Sequence, residues 1–218
     1  MKLIKYRIHS LMNFRFLKWN VIYFILFLLY QCNSIDLLPK DNFHFINLLM
    51  SKFTLTYIVL PMLSIFTLYF YNDDHIHETY ISHRKYLKID YVIYATLISS
   101  FLSVEQILAS LFAEQFIVKL DSIFWVSLLL TIIGNLTVSL LFLSLYVMFF
   151  NKMITLIVGN LMIFLDFLLG LASKTNFIII DSSKLITFSF AWVLYKCALF
   201  CSIFLIAVWQ LSKKEILK

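Results

Sequence analysis

The chain has 218 residues and a formal net charge of +6; 62% of its residues are hydrophobic, 18% aromatic and 14% charged. A soluble domain carries roughly a quarter of its residues as charged side chains, so a fully water-solvated surface is excluded. The apolar residues fall in long runs without period-two alternation, which excludes a membrane β-barrel and leaves helices whose backbone groups bond internally in lipid.

Residues 1–18 are basic (Lys2, Lys5, Arg7, Arg15, Lys18), with Ile4, Ile8, Leu11 and Met12 at helical spacing. That pattern predicts a helix lying in the membrane interface. Spans are predicted over 19–38, 53–71, 91–113, 122–150, 154–173 and 187–211, followed by a tail over 212–218. The fold class is therefore all-α and polytopic, with about six transmembrane helices. The first span is read as retained, because its apolar stretch Val21–Leu29 is followed by Tyr30-Gln31-Cys32-Asn33 in place of a small-residue cleavage pattern. Pro61 is expected to kink the second span, and the fourth is too long to stand upright. Trp19, Trp125 and Trp209 sit near span ends, as interfacial anchors do.

Basic residues flank these spans unequally. Twelve fall on the side of the N-terminal tail, loop 72–90, Lys152 and the C-terminus, and five on the other side. The bias places both termini in the cytoplasm and accounts for the positive charge without nucleic acid. Few glycines and alanines amid abundant Ile, Phe, Lys and Asn suggest an AT-rich bacterial genome, hence a bacterial cytoplasmic membrane. Cys32, Cys197 and Cys201 lie in or beside apolar segments and read as small core hydrophobes.

Loop 72–90 is the most distinctive polar segment. Asp73, Asp74 and Glu78 precede Arg84, Lys85 and Lys88, an order that complements a helix dipole. Ile76, Tyr80 and Leu87 would share one apolar stripe. A short cytoplasmic helix of this kind suits docking to a soluble partner, with Ile76, Glu78, Tyr80, Arg84 and Leu87 as its contact residues. His75, His77 and His83 in the same loop lack the four-residue spacing that turns two histidines towards one metal ion. No nucleophile elbow, dinucleotide fingerprint or P-loop occurs, so no enzyme activity and no cofactor is expected of this chain.

Glu105, Asp166 and Lys196 interrupt the apolar runs. Counted from the cytoplasmic ends of their spans they lie at ~21, ~18 and ~22 Å, nearly one depth. An unpaired charge there is costly, so Lys196 is expected to pair with Glu105 or Asp166. Such a pair serves either to fix the packing or to line a substrate path.

The layout resembles the small permease subunits of type-2 ABC exporters that serve bacteriocins, lantibiotics and other amphipathic peptides. Residues 1–18 look like that family's basic interfacial helix, and 72–90 like its cytoplasmic coupling helix. Glu78-Thr79 and the basic residues Arg84 to Lys88 are similar to the family's loop pattern, although its glycine and later proline are absent here. The extracellular loop 174–186 looks like a short version of the family's structured segment before the sixth span, with residues 177–180 dipping into the interface. The resemblance implies a pair of permeases, identical or paired with a second subunit, bound to two copies of a separate ABC ATPase subunit, with substrate passing between the permeases in the lipid bilayer. A substrate-capture subunit of a vitamin-type ABC importer and a non-transport peptide-immunity or sensor protein are the alternative readings.

Overall fold

The computed structural model describes residues 7, 8, 11, 14–34, 44–71, 85–114, 122–173, 176, 178, 179 and 190–213. Every regular element among them is helical. In chain order these are α1 (Phe14–Ser34), α2 (His44–Met50), a composite α3, then α4 (Lys85–Ala113), α5 (Ser122–Phe149), α6 (Lys152–Ser173) and α7 (Phe190–Lys213). Helix α3 starts as one α-turn (Lys52–Thr54), widens into a π-helical stretch (Leu55–Val59) and continues as an α-helix (Leu60–Tyr69).

Among the described residues, four helical stretches are long and apolar enough to cross a membrane: Phe45–Tyr69, Asp90–Ala113, Ser122–Phe149 and Lys152–Ala172. Their outward faces carry large apolar side chains such as Leu129, Ile157, Leu161 and Leu165. A water-facing surface does not present so extensive an apolar area. The polar side chains instead turn inward, as hydrocarbon demands.

Helix α5 is the hub, packed by α3, α4, α6 and α7. It is apolar around its whole circumference, which matches its central place. Helix α1 packs against α4 through Phe16, Asn20, Tyr23, Phe27 and Gln31, a single helical stripe, and leaves Val21, Ile25 and Leu29 outside. The α6 backbone comes close to α5 at Gly159, where an added Cβ would lie 2.2 Å from the Phe142 ring. Small residues permit such approaches between helices in a bilayer.

Several boundaries differ from the sequence reading, each for a local reason. Helix α1 begins at Phe14, ahead of the expected start at 19, because Phe16 is fully buried among Phe66, Phe70 and Phe101. Residues 44–50, between the first two predicted spans, form α2, whose Phe45, Leu48, Leu49 and Met50 are all buried. Ser51 then divides α2 from α3, its side chain accepting a bond from the Thr54 amide at 3.1 Å. The disturbance expected at Pro61 takes the form of the π-helical turn just before it. Proline has no N–H and its ring crowds the carbonyl four residues back, and a widened turn relieves both problems.

Helix α5 stays helical over its full length, ~42 Å, and ends at Phe150 in the left-handed region (φ 53°). Asn151 then starts α6, its side-chain oxygen accepting from the amides of Met153 (2.9 Å) and Ile154 (3.2 Å). Helix α4 starts at Lys85, so Leu87, expected on the coupling loop, lies within α4.

Candidate functional site

Three polar clusters are held inside or at the ends of this apolar bundle. The first lies where α3 and α4 flank the segment 72–84. Arg7 and Asp90, 83 positions apart in sequence, form a buried two-pronged ion pair: Arg7 Nε donates to Asp90 Oδ1 at 2.5 Å and Nη2 donates to Oδ2. The guanidinium also lies over two aromatic rings, 5.3 Å from the centroid of Tyr71 and 5.7 Å from that of Tyr94. Tyr71 stacks on Tyr91 and meets Tyr94 and Tyr146 edge-on. Tyr94 in turn donates to the Thr67 carbonyl at 2.9 Å, and Lys152 donates to the Tyr71 carbonyl at 2.8 Å. The last bond places a cation on a carbonyl just past the C-terminus of α3, where positive charge is favoured. Burial opposes the charge on Arg7, but the hydrogen bond and negative charge of Asp90 outweigh it and leave the guanidinium more basic than usual.

The second cluster explains two of the three intramembrane charges. Residues 176, 178 and 179 are non-helical, and Ile178 and Ile179 reach Gly134, Asn135 and Val138 near the middle of α5, where they line a cavity of about 20 Å³. Peptide groups at that depth have no water to bond and must find protein partners. Asp166 Oδ2 accepts from the amides of Ile178 (2.9 Å) and Ile179 (2.8 Å). Lys196 Nζ donates to the carbonyls of Asn176 (2.5 Å) and Ile179 (2.9 Å). One charge therefore serves the donors of the segment and the other its acceptors. Both side chains are almost wholly buried, and Lys196 also lies over the Trp192 ring.

Asn176 ties the same segment to α6, donating to the Asp166 carbonyl at 2.8 Å. The contact needs Gly170, because a Cβ there would lie 2.0 Å from the Asn176 side-chain nitrogen. Gly170→Ala is expected to expel the Asn176 amide and cost about 1–3 kcal/mol, read as a lower melting temperature of the purified protein in detergent.

The third cluster fills the bundle between α1, α2, α4 and α5. Gln31 and Gln106 donate to the carbonyls of Leu48 (3.1 Å) and Leu49 (2.8 Å), two orphan acceptors at the end of α2. Asn135 donates to Ser103 (2.9 Å) and to Gln106 Oε1 (3.1 Å), and Ser110 closes the chain onto the Gln106 carbonyl.

Of the residues singled out from sequence, Asp166 and Lys196 are brought together on one segment. Glu105 lies elsewhere, on α4, within electrostatic range of Tyr23 of α1. Ile76, Glu78, Tyr80 and Arg84 fall outside the described residues, as do His75, His77 and His83. The sequence reading missed Arg7 and Asp90 as partners, and it passed over Gln31, Gln106, Asn135 and Asn176. Polar side chains inside or beside apolar runs were the available signal, since hydrocarbon tolerates them only when they are bonded.

Among the described residues the chain is thus all-helical, with four helices long and apolar enough to cross a membrane, a fold consistent with membrane residence. Compared with known proteins, it matches no family model, no curated protein and no solved structure.

Proposed function

We propose that the chain is the membrane-spanning permease subunit of a small ABC exporter, moving an amphipathic substrate, a peptide foremost, with the energy of a separate ATPase subunit. In this reading α1 and α7 cross the bilayer beside the four longer spans. That makes six crossings, with both termini and loop 72–84 on the cytoplasmic side of a bacterial membrane. The ATPase docks on Ile76, Glu78, Tyr80 and Arg84.

The observation that carries the reading is the Arg7–Asp90 pair. It ties Arg7, in the basic N-terminal stretch, to a buried carboxylate near the start of the helix that follows the loop. A loop that transmits force from a soluble motor needs rigid anchorage at both ends. Asp90 is held by Arg7, and Tyr71 by Lys152 and its ring neighbours. The buried non-helical segment before α7 adds support, since the exporter permeases this chain resembles have a structured segment at the same place in their topology.

Affinity purification from the native membrane in mild detergent tests this. An ABC ATPase is expected to copurify with the wild-type chain and to be lost, by at least tenfold, when Glu78 and Tyr80 are both replaced by Ala. A chain that purifies without any ATPase contradicts the proposal and favours a stand-alone immunity or sensor protein.

A further inference from the structure

Helix α1 turns its buried stripe towards α4 and the opposite stripe away from the bundle. The outward stripe begins with Arg15 and Lys18, both exposed, and continues through Ile22, Ile25 and Leu29 at spacings of three and four residues. Val21 and Leu26 widen its apolar part. No acidic residue occurs within Phe14–Ser34. Among the described residues neither Arg15 nor Lys18 forms an ion pair or a side-chain hydrogen bond.

Ring contacts fix the depth of these two cations. Phe16, between them, meets Phe70 edge-on at 5.1 Å, and the membrane-crossing stretch Phe45–Tyr69 ends at the residue before Phe70. The first turn of α1 is therefore level with the end of that span, at the edge of the hydrocarbon layer. Trp19 and Tyr69 are exposed close to that level, where rings with one polar end prefer to lie. From Lys18 to Leu29 the helix rises ~16 Å, close to half of the ~30 Å hydrocarbon core. The apolar track is thus about as long as one leaflet is thick.

A second copy of this chain does not complement the face. In a symmetric contact through α1, Arg15 and Lys18 would meet their own counterparts, and like charges oppose each other. A lipid phosphate brings the missing negative charge together with an apolar chain of matching length.

We infer that the outward face of α1 is a binding site for an anionic phospholipid. Arg15 and Lys18 hold its phosphate, Trp19 lies beside the headgroup, and one acyl chain runs along Ile22, Ile25 and Leu29. The inference rests on the part of the permease reading that sets α1 in the bilayer. It involves no ATPase and none of the loop residues.

Native mass spectrometry of the full chain in a non-ionic detergent counts the lipids retained from an equal mixture of phosphatidylglycerol and phosphatidylcholine. The second headgroup carries a cation that offsets its phosphate. A basic residue beside an anionic headgroup contributes about fivefold in binding, so with two of them the expected preference for phosphatidylglycerol is at least about tenfold. Arg15→Gln combined with Lys18→Gln should reduce it to about twofold or less. Lys213→Gln combined with Lys214→Gln removes the same charge at the end of α7 and should leave most of the preference intact.

Equal retention of the two lipids by the wild-type chain overturns the inference. So does a preference that survives the first double variant, or one that falls equally in the second, which is the mark of attraction to net charge alone. If the first variant does not fold, a phosphatidylglycerol with a photoreactive acyl chain decides the question on the wild-type chain. Its main adduct is expected within residues 19–30, and a main adduct on another helix overturns the site. No ATPase enters either assay, so failure here is distinct from failure of the permease reading.

Discussion

Replacing Asp90 by Asn is expected to destabilise the bundle by about 3–5 kcal/mol, because it leaves the Arg7 guanidinium charged, buried and half-paired. The guanidinium does not escape by losing its proton, since arginine stays charged in proteins. Arg7→Met should cost a similar amount by stranding the carboxylate. The double variant Arg7→Met, Asp90→Leu should recover most of the loss, because an apolar pair of similar volume removes both desolvation penalties together. Thermal unfolding of the three variants in detergent measures this, and a double variant no better than the worse single would show that the pair is not what holds the N-terminal segment. In the permease reading the double variant also has a functional signature. It should fold yet lose export, because the apolar contact does not fix the orientation of the loop as a two-pronged ion pair does.

Lys196 and Asp166 should behave in the opposite way. Lys196→Met is expected to cost about 3–5 kcal/mol by leaving the carbonyls of Asn176 and Ile179 without a donor and an acidic neighbour uncompensated. Adding Asp166→Leu should not restore stability. The amides of Ile178 and Ile179 then lose their acceptor as well, at about 1–3 kcal/mol for each buried group left unmade. The sequence alone suggests a simple pair in which the second substitution rescues the first. The bonds to the intervening backbone make these charges parts of a three-body arrangement instead. Rescue by the double variant would show that direct attraction between the side chains dominates and that the backbone bonds are incidental.

This contrast shows what the sequence makes legible. Apolar runs of about 20 residues are set by the thickness of the hydrocarbon layer, so the spans of α4, α5 and α6 can be read almost to the residue. The short helix α2 is not readable, because its seven residues sit between polar segments and owe their helicity to burial of Phe45, Leu48 and Leu49. The Arg7–Asp90 pair is equally hidden. Both residues belong to charged flanks in which any of several lysines would serve equally well in a one-dimensional reading. Asp166 and Lys196 stand out in the sequence because hydrocarbon tolerates charge only with partners, yet their partners are peptide groups, which leave no mark in a sequence. Gln31, Gln106 and Asn135 are legible in principle by the same rule, as uncharged polar residues in apolar surroundings.

The anchorages beside the loop and the bonded non-helical segment near the middle of α5 are two differently built regions of the bundle. In the permease reading proposed above, the motor acts at the first of them. The claim that the loop meets a motor is tested most directly by placing a photo-crosslinking amino acid at position 80, in the native membrane, and identifying the adduct. The account predicts a single major adduct with an ABC ATPase subunit, formed in the wild-type background and diminished by Glu78→Ala. An adduct with an extracellular component, or labelling of position 80 by a membrane-impermeant reagent on intact cells, would contradict it.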